Sequence, residues 1–116
     1  METKKIDSDI SLQILQSRKY RELDQSGKLC CAVSGLCEEA GEVAGLLNRE
    51  IFKHKEVPLD RWVDEIGDVL WYVTAVASLK GLTLEDLFMH NTAKLQERYG
   101  TSYGERENRH PGTQST

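Results

Sequence analysis

At 116 residues the chain has the length of one domain with one core, and 39% hydrophobic against 29% charged residues suits a globular fold whose core is small unless copies associate. The formal charge of −4 argues against a nucleic-acid scaffold, which needs a basic field to meet phosphate, so no nucleic-acid partner is expected. No apolar run approaches the roughly 20 residues that span a bilayer, and the start, Met-Glu-Thr-Lys-Lys, lacks the apolar stretch of a secretory signal; the expectation is a cytoplasmic protein with no membrane partner.

Apolar periodicity and end signals predict four helices. The first covers 9–23, with Ser8 or Asp9 as its cap and Ile10, Ile14 and Leu15 as a short apolar stripe. The second starts after Ser26-Gly27 and runs to Lys53, because Leu29, Val33, Leu36, Ala40, Val43, Leu47 and Ile51 recur at steps of three and four. It holds the three cysteines, Cys30, Cys31 and Cys37, whose spacing within one helix suits neither a disulfide nor a zinc site. They are expected as packing residues in a reducing compartment.

A polar break at His54-Lys55-Glu56-Val57 leads to Pro58, placed in the first turn of a third helix, where its missing N–H has no partner to lose. In that helix Trp62, Ile66, Val69, Val73 and Val76 form one stripe, with Val63, Leu70 and Ala77 beside it. Gly81 supplies a left-handed residue to end it. Thr83-Leu84-Glu85-Asp86 has the form of a capping box and opens a fourth helix, whose apolar side is Leu84, Leu87, Phe88, Leu95 and Tyr99 and whose end is Gly100. Residues 1–100 therefore read as one all-α, four-helix bundle-like domain. Residues 101–116 show no periodicity and are expected as an extended or disordered arm.

Two acidic turns carry the chemistry. Glu38, Glu39 and Glu42 lie in Glu-Glu-Ala-Gly-Glu on the second helix, within an arc of about 100°. Glu65 and Asp68, in Glu-Ile-Gly-Asp on the third, are three residues apart and share a face. Glu39 falls between Leu36 and Val43, and Glu65 between Trp62 and Val69, so both border apolar stripes. If the two helices form an antiparallel hairpin, the acidic turns meet in a partly dry cleft, where their repulsion demands protons or a hard divalent cation with oxygen ligands. Gly35, Gly41, Gly45 and Gly67 lie in or near these turns, and interior glycines, each costing about 1 kcal/mol, suggest room near the backbone for a metal, water or phosphate.

The pattern Glu38-Glu39-x-x-Glu42, 22 intervening residues, then Glu65-x-x-Asp68 resembles the signature of the MazG-like all-alpha nucleoside triphosphate pyrophosphohydrolases. The resemblance runs from Leu29 to Tyr99 and includes Asp68-Val-Leu-Trp-Tyr72 and Asn91-x-x-Lys94 followed by Arg98-Tyr99. It implies hydrolysis of (deoxy)nucleoside triphosphates between the α and β phosphates, with magnesium, or manganese as a substitute, held by Glu39, Glu42, Glu65 and Asp68. Glu38 occupies a family position open between ligating the metal, activating water and supporting a ligand; Glu38 and Glu39 are the catalytic candidates. Tyr72 matches a position that contacts the nucleotide in relatives, with packing as its other reading. Asn91 and Lys94 match phosphate-side contacts; Arg98 extends that face, and Lys53 is a further candidate, with a solvated surface charge an equal reading for these last two.

Other chemistries fare worse. A glutamate-rich bundle also suggests a di-iron protein, but that needs Glu-x-x-His, and the residues three before His54 and His90 are Ile51 and Leu87. No Walker-type glycine loop is present. Wide apolar stripes in a short chain, together with the resemblance, imply a homodimer or homotetramer. The rival class is a noncatalytic helical interaction module that binds metal and nucleotide without turnover.

Overall fold

The structure, a computed structural model, describes residues 2–100; Met1 and the expected arm at 101–116 lie outside the described residues. Its helices are α1 (Thr3–Gln16), α2 (Arg18–Arg21), α3 (Gln25–Ile51), α4 (Leu59–Leu79) and α5 (Leu84–Tyr99), with no strand among the described residues. The all-α bundle expected from the sequence is what forms: four long helices plus the four-residue α2. No helix among the described residues is long and apolar enough to cross a membrane.

The first expected helix is divided and displaced. α1 begins at Thr3, so Ser8 and Asp9 lie inside it rather than capping it, and Asp9 accepts an ion pair from Lys5 at 2.6 Å. The helix breaks at Ser17, whose backbone is extended and whose Oγ accepts from the Lys19 N–H at 3.2 Å, starting α2. Ile10 and Ile14 are buried as expected, whereas Leu15 points to solvent. Asp7 accepts from the Leu84 N–H at 3.0 Å and ties α1 to the start of α5.

Local chemistry sets the other ends. Asp24 accepts from the Gly27 N–H at 2.8 Å, so α3 starts before Ser26-Gly27 instead of after it. After Ile51 the chain turns through His54 at φ 51°, and the Lys55 N–H donates to the Arg49 carbonyl at 3.0 Å, folding the loop back on the end of α3. Pro58 is the N-cap of α4, one residue before the expected first turn. Both halves of the capping box at Thr83 and Asp86 are made, at 3.0 and 2.9 Å, and Gly81 adopts the left-handed φ of 74° expected of it.

The core joins Ile10 and Ile14 of α1, Tyr20 of α2, Ala32 of α3 and Ala75 of α4, with Ile6, Cys31, Trp71, Val76 and Leu79 packed around them. Trp71 donates from Nε1 to Gln13 at 2.7 Å. Of the cysteines only Cys31 packs; Cys30 and Cys37 are exposed, so the expectation of packing fails for those two.

α3 and α4 form the antiparallel hairpin that the short break between them requires. Its seam on α3 runs Ala32, Leu36, Glu39, Val43, Leu46 and on α4 Trp62, Glu65, Val69, Tyr72, Val76, at alternating steps of three and four residues. Glu39 and Glu65 are thus the only acids on these stripes, in half-buried positions where the pattern would place apolar residues.

Candidate active site

Three approaches between the helices mark the hairpin register. Trp62 Nε1 donates to Glu50 at 3.0 Å near the turn. In the middle, single ligand oxygens of Glu39, Glu65 and Asp68 lie within 4.8 Å of one another. One turn further on, the Tyr72 ring occupies the space in front of Gly35, where a Cβ would stand 2.1 Å from Cε1. Gly35 is buried and its missing side chain makes room for this ring, not for a metal or phosphate. Gly41, Gly45 and Gly67 are exposed, with nothing within 4 Å of their Cβ positions.

Helix geometry places the acids on one side. A step of one residue turns about 100° around a helix. In an antiparallel pair, positions one after the seam on both helices turn to the same side, and positions one before it, or three after it, to the other. Glu38 precedes Glu39 by one, Glu42 follows it by three, and Asp68 follows Glu65 by three, so all three flank the seam on a common face. Glu39 and Glu65, half-buried, lie at the base of that acidic face.

Electrostatics record the crowding. Partial burial, and then the charges of Asp68, Glu65, Glu38 and Glu42, push the Glu39 carboxyl above the usual carboxylate range. Glu65, with its side chain only 16% exposed, is partly neutralised by Arg61, whose Nη2 lies 3.5 Å away one turn earlier on α4. A magnesium ion in an octahedral oxygen shell holds opposite ligands about 4.2 Å apart. The three oxygens lie within 4.8 Å of one another, and an all-carboxylate donor set is the kind a hard divalent cation takes.

The expected residues are not all drawn together. Glu38 and Glu42 are exposed and lie outside the tight group, though their charge is felt at Glu39. Tyr72 stands one turn from the acids on both helices, held by Gly35 and edge-on to Trp71 with ring centroids 5.0 Å apart. Asn91 lines a cavity of about 800 Å³ with Leu82, Asp86, Leu87 and His90, none of which belongs to the acidic group. Lys94 and Arg98 are exposed on α5, which packs on α1 and α4. Lys53 lies at the turn between α3 and α4, in a cavity with Arg49, Lys55 and Arg61. Arg61 was not among the expected residues; its place four before Glu65, the spacing of a helical ion pair, is the signal that points to it.

Tyr20 adds a buried polar group near this end of the hairpin. It is 3% exposed, its ring lies 6.1 Å from that of Trp71, and its hydroxyl has no hydrogen-bond partner among the described residues. Burial, and then Tyr72 and Cys31, push its phenol up to about 12.

An all-helical hairpin that brings carboxylates of both its helices together is a scaffold able to hold a metal ion. Residues 31–102, more than half of the chain, match the MazG nucleotide pyrophosphohydrolase domain, and the chain belongs to that family. No curated protein and no solved structure gives a match to it.

Proposed function

We propose that the chain hydrolyses (deoxy)nucleoside triphosphates between the α and β phosphates, releasing a nucleoside monophosphate and pyrophosphate, as part of housecleaning of the nucleotide pool. The observation that carries this reading is the meeting of Glu39, Glu65 and Asp68 oxygens across the hairpin. Magnesium, with manganese as its substitute, is the cation the group suits, with Glu42 and Glu38 within charge range to complete its shell. When bound, the ion supplies charge screening of the phosphate oxygens and lowers the cost of forming hydroxide.

The residues of the chain do the rest. Glu38 or Glu39, the latter already holding its proton more tightly than an ordinary glutamate, accepts a proton from the attacking water. Tyr72, fixed against Gly35, offers a ring edge one turn from the acids for a base or sugar. Asn91, Lys94 and Arg98 bring amide and cationic groups along one face of α5 toward the phosphates of a bound nucleotide, in their own or a neighbouring subunit. Subunits assemble as a homodimer or homotetramer in the cytoplasm.

The test is pyrophosphate release from a panel of ribo- and deoxyribonucleoside triphosphates, with and without magnesium, for the intact chain, Glu39→Gln and Asp68→Asn. Metal-dependent release by the intact chain, falling by on the order of 100-fold in both variants, is the expected result. Metal-dependent nucleotide binding with no release by the intact chain would instead make this a noncatalytic module.

A further inference from the structure

The turn between α3 and α4 encloses a cavity of about 350 Å³ lined by Arg49, Lys53, Lys55, Glu56, Pro58 and Arg61, with the buried Val57 beneath. Four cations against one acid meet there, in a chain whose formal charge is −4. Helix-end complementarity accounts for Arg49, in the last turn of α3, but not for Lys55 in the loop or Arg61 on α4. Arg49, Lys53 and Lys55 make no ion pair among the described residues, and Arg61 makes only the long 3.5 Å contact to Glu65. Cations that line one cavity give it a positive field, which suits an anion carrying several charges.

We propose that this cavity is a binding site for a polyphosphate anion of the pyrophosphate class. The backbone builds it: the left-handed turn at His54 and the Lys55 N–H bond to the Arg49 carbonyl fold the loop back, so that loop and helix cations converge. Buried Val57 anchors the far side of the loop. Arg49 follows the seam residue Leu46 by three and Arg61 precedes Trp62 by one, so both turn to the face on which Glu38, Glu42 and Asp68 lie. The cavity stands roughly 10 Å along α4 from Asp68, seven residues at about 1.5 Å each, and Arg61 joins the two centres through Glu65. The site rests on its own charge and shape and needs neither metal nor turnover.

The experiment is calorimetric titration of the intact chain with sodium pyrophosphate at low salt in the presence of a chelator, alongside inorganic phosphate. Backbone amide shifts are followed in parallel. Pyrophosphate is expected to bind more tightly than phosphate, to shift the amides of residues 53–57, and to weaken about tenfold for each of Lys53→Ala and Lys55→Ala. Glu65→Gln, which releases Arg61, leaves the affinity equal or higher. Absence of pyrophosphate binding, indifference to both lysine variants, or loss of binding in Glu65→Gln overturns the proposal. Both lysines are exposed, and Lys55→Ala, in the loop, serves if Lys53→Ala impairs folding. A triphosphate whose α–β bridge is a methylene distinguishes the source: joint shifts at 53–57 and around Glu39 assign the cavity to the phosphate end of a nucleotide, and shifts at 53–57 with pyrophosphate alone assign it to the free anion. Failure of pyrophosphate release in the activity assay leaves this chelated titration unaffected.

Discussion

Glu39 shows how one residue can carry a fold's cost and its purpose together. A seam position of a helical hairpin favours an apolar side chain, and a carboxylate placed there among four other acids holds its proton above the usual range. Because the folded state holds that proton more tightly than the unfolded chain, this contribution to stability is complete in acid and is lost as pH rises through the raised value. Thermal melting of the metal-free protein should therefore show a component that falls between the ordinary carboxylate range and neutrality, and Glu39→Gln should flatten it. Magnesium should raise the melting temperature at pH 7, with the gain fading on acidification and reduced in Glu39→Gln. A magnesium shift of equal size in both proteins would show that Glu39 is not a ligand. Tyr20 presents the opposite case, a buried donor without a partner. Its folded phenol keeps its proton to about 12 while the unfolded one releases it near 10, so stability declines across that interval. Tyr20→Phe should abolish the alkaline decline and leave the neutral melting temperature equal or higher, as urea melts at pH 7 and pH 11 will show.

At the scale of elements, the α3–α4 hairpin is set by small residues as much as by large ones. Gly35 lets the Tyr72 ring lie against the α3 backbone, and this contact fixes the register one turn from the acids. Gly35→Ala puts a methyl carbon too close to the Tyr72 ring for any side chain to tolerate, so the ring must swing out or the helices must separate or slide. A loss of about 1–3 kcal/mol in urea unfolding is expected, with weakened magnesium affinity, because sliding α3 past α4 pulls Glu39 away from Glu65 and Asp68. The same substitution at Gly41, where nothing lies within 4 Å, should leave stability unchanged or improved by helix propensity. Melting curves for the pair of variants decide whether register or mere helix content is at stake.

For the whole molecule, the face opposite the acidic one is apolar. Val33, Leu47 and Ile51 of α3 and Leu59, Val63, Ile66 and Leu70 of α4 are between 43% and 78% exposed, and those following the seam by one turn to the same side of the hairpin. α5 has no buried residue and leaves Phe88 66% exposed. Such a face is what the proposed oligomer would cover. Light scattering should find no substantial monomer, and Leu47→Lys combined with Val63→Lys should shift the population to one. A monodisperse monomer of the unaltered chain would contradict the proposed oligomer.

The sequence alone determined the all-α class, the hairpin and the pair of acidic turns, because each depends on spacing along a single helix, and 100° per residue is fixed by backbone geometry. Capping at Thr83 and the turn at Gly81 were legible for the same reason, being bonds between near neighbours. The break at Ser17, the early start of α1, the exposure of Cys30 and Cys37, and the use of Gly35 by Tyr72 were decided only in three dimensions. Two of these meet a partner far away in sequence: Asp7 of α1 accepts from Leu84, and the Tyr72 ring fills the place of a missing methyl at Gly35. So too with the carboxylates, of which periodicity named five while the fold draws the oxygens of Glu39, Glu65 and Asp68 into one tight group, since which acids on neighbouring turns converge depends on how far one helix slides along the other.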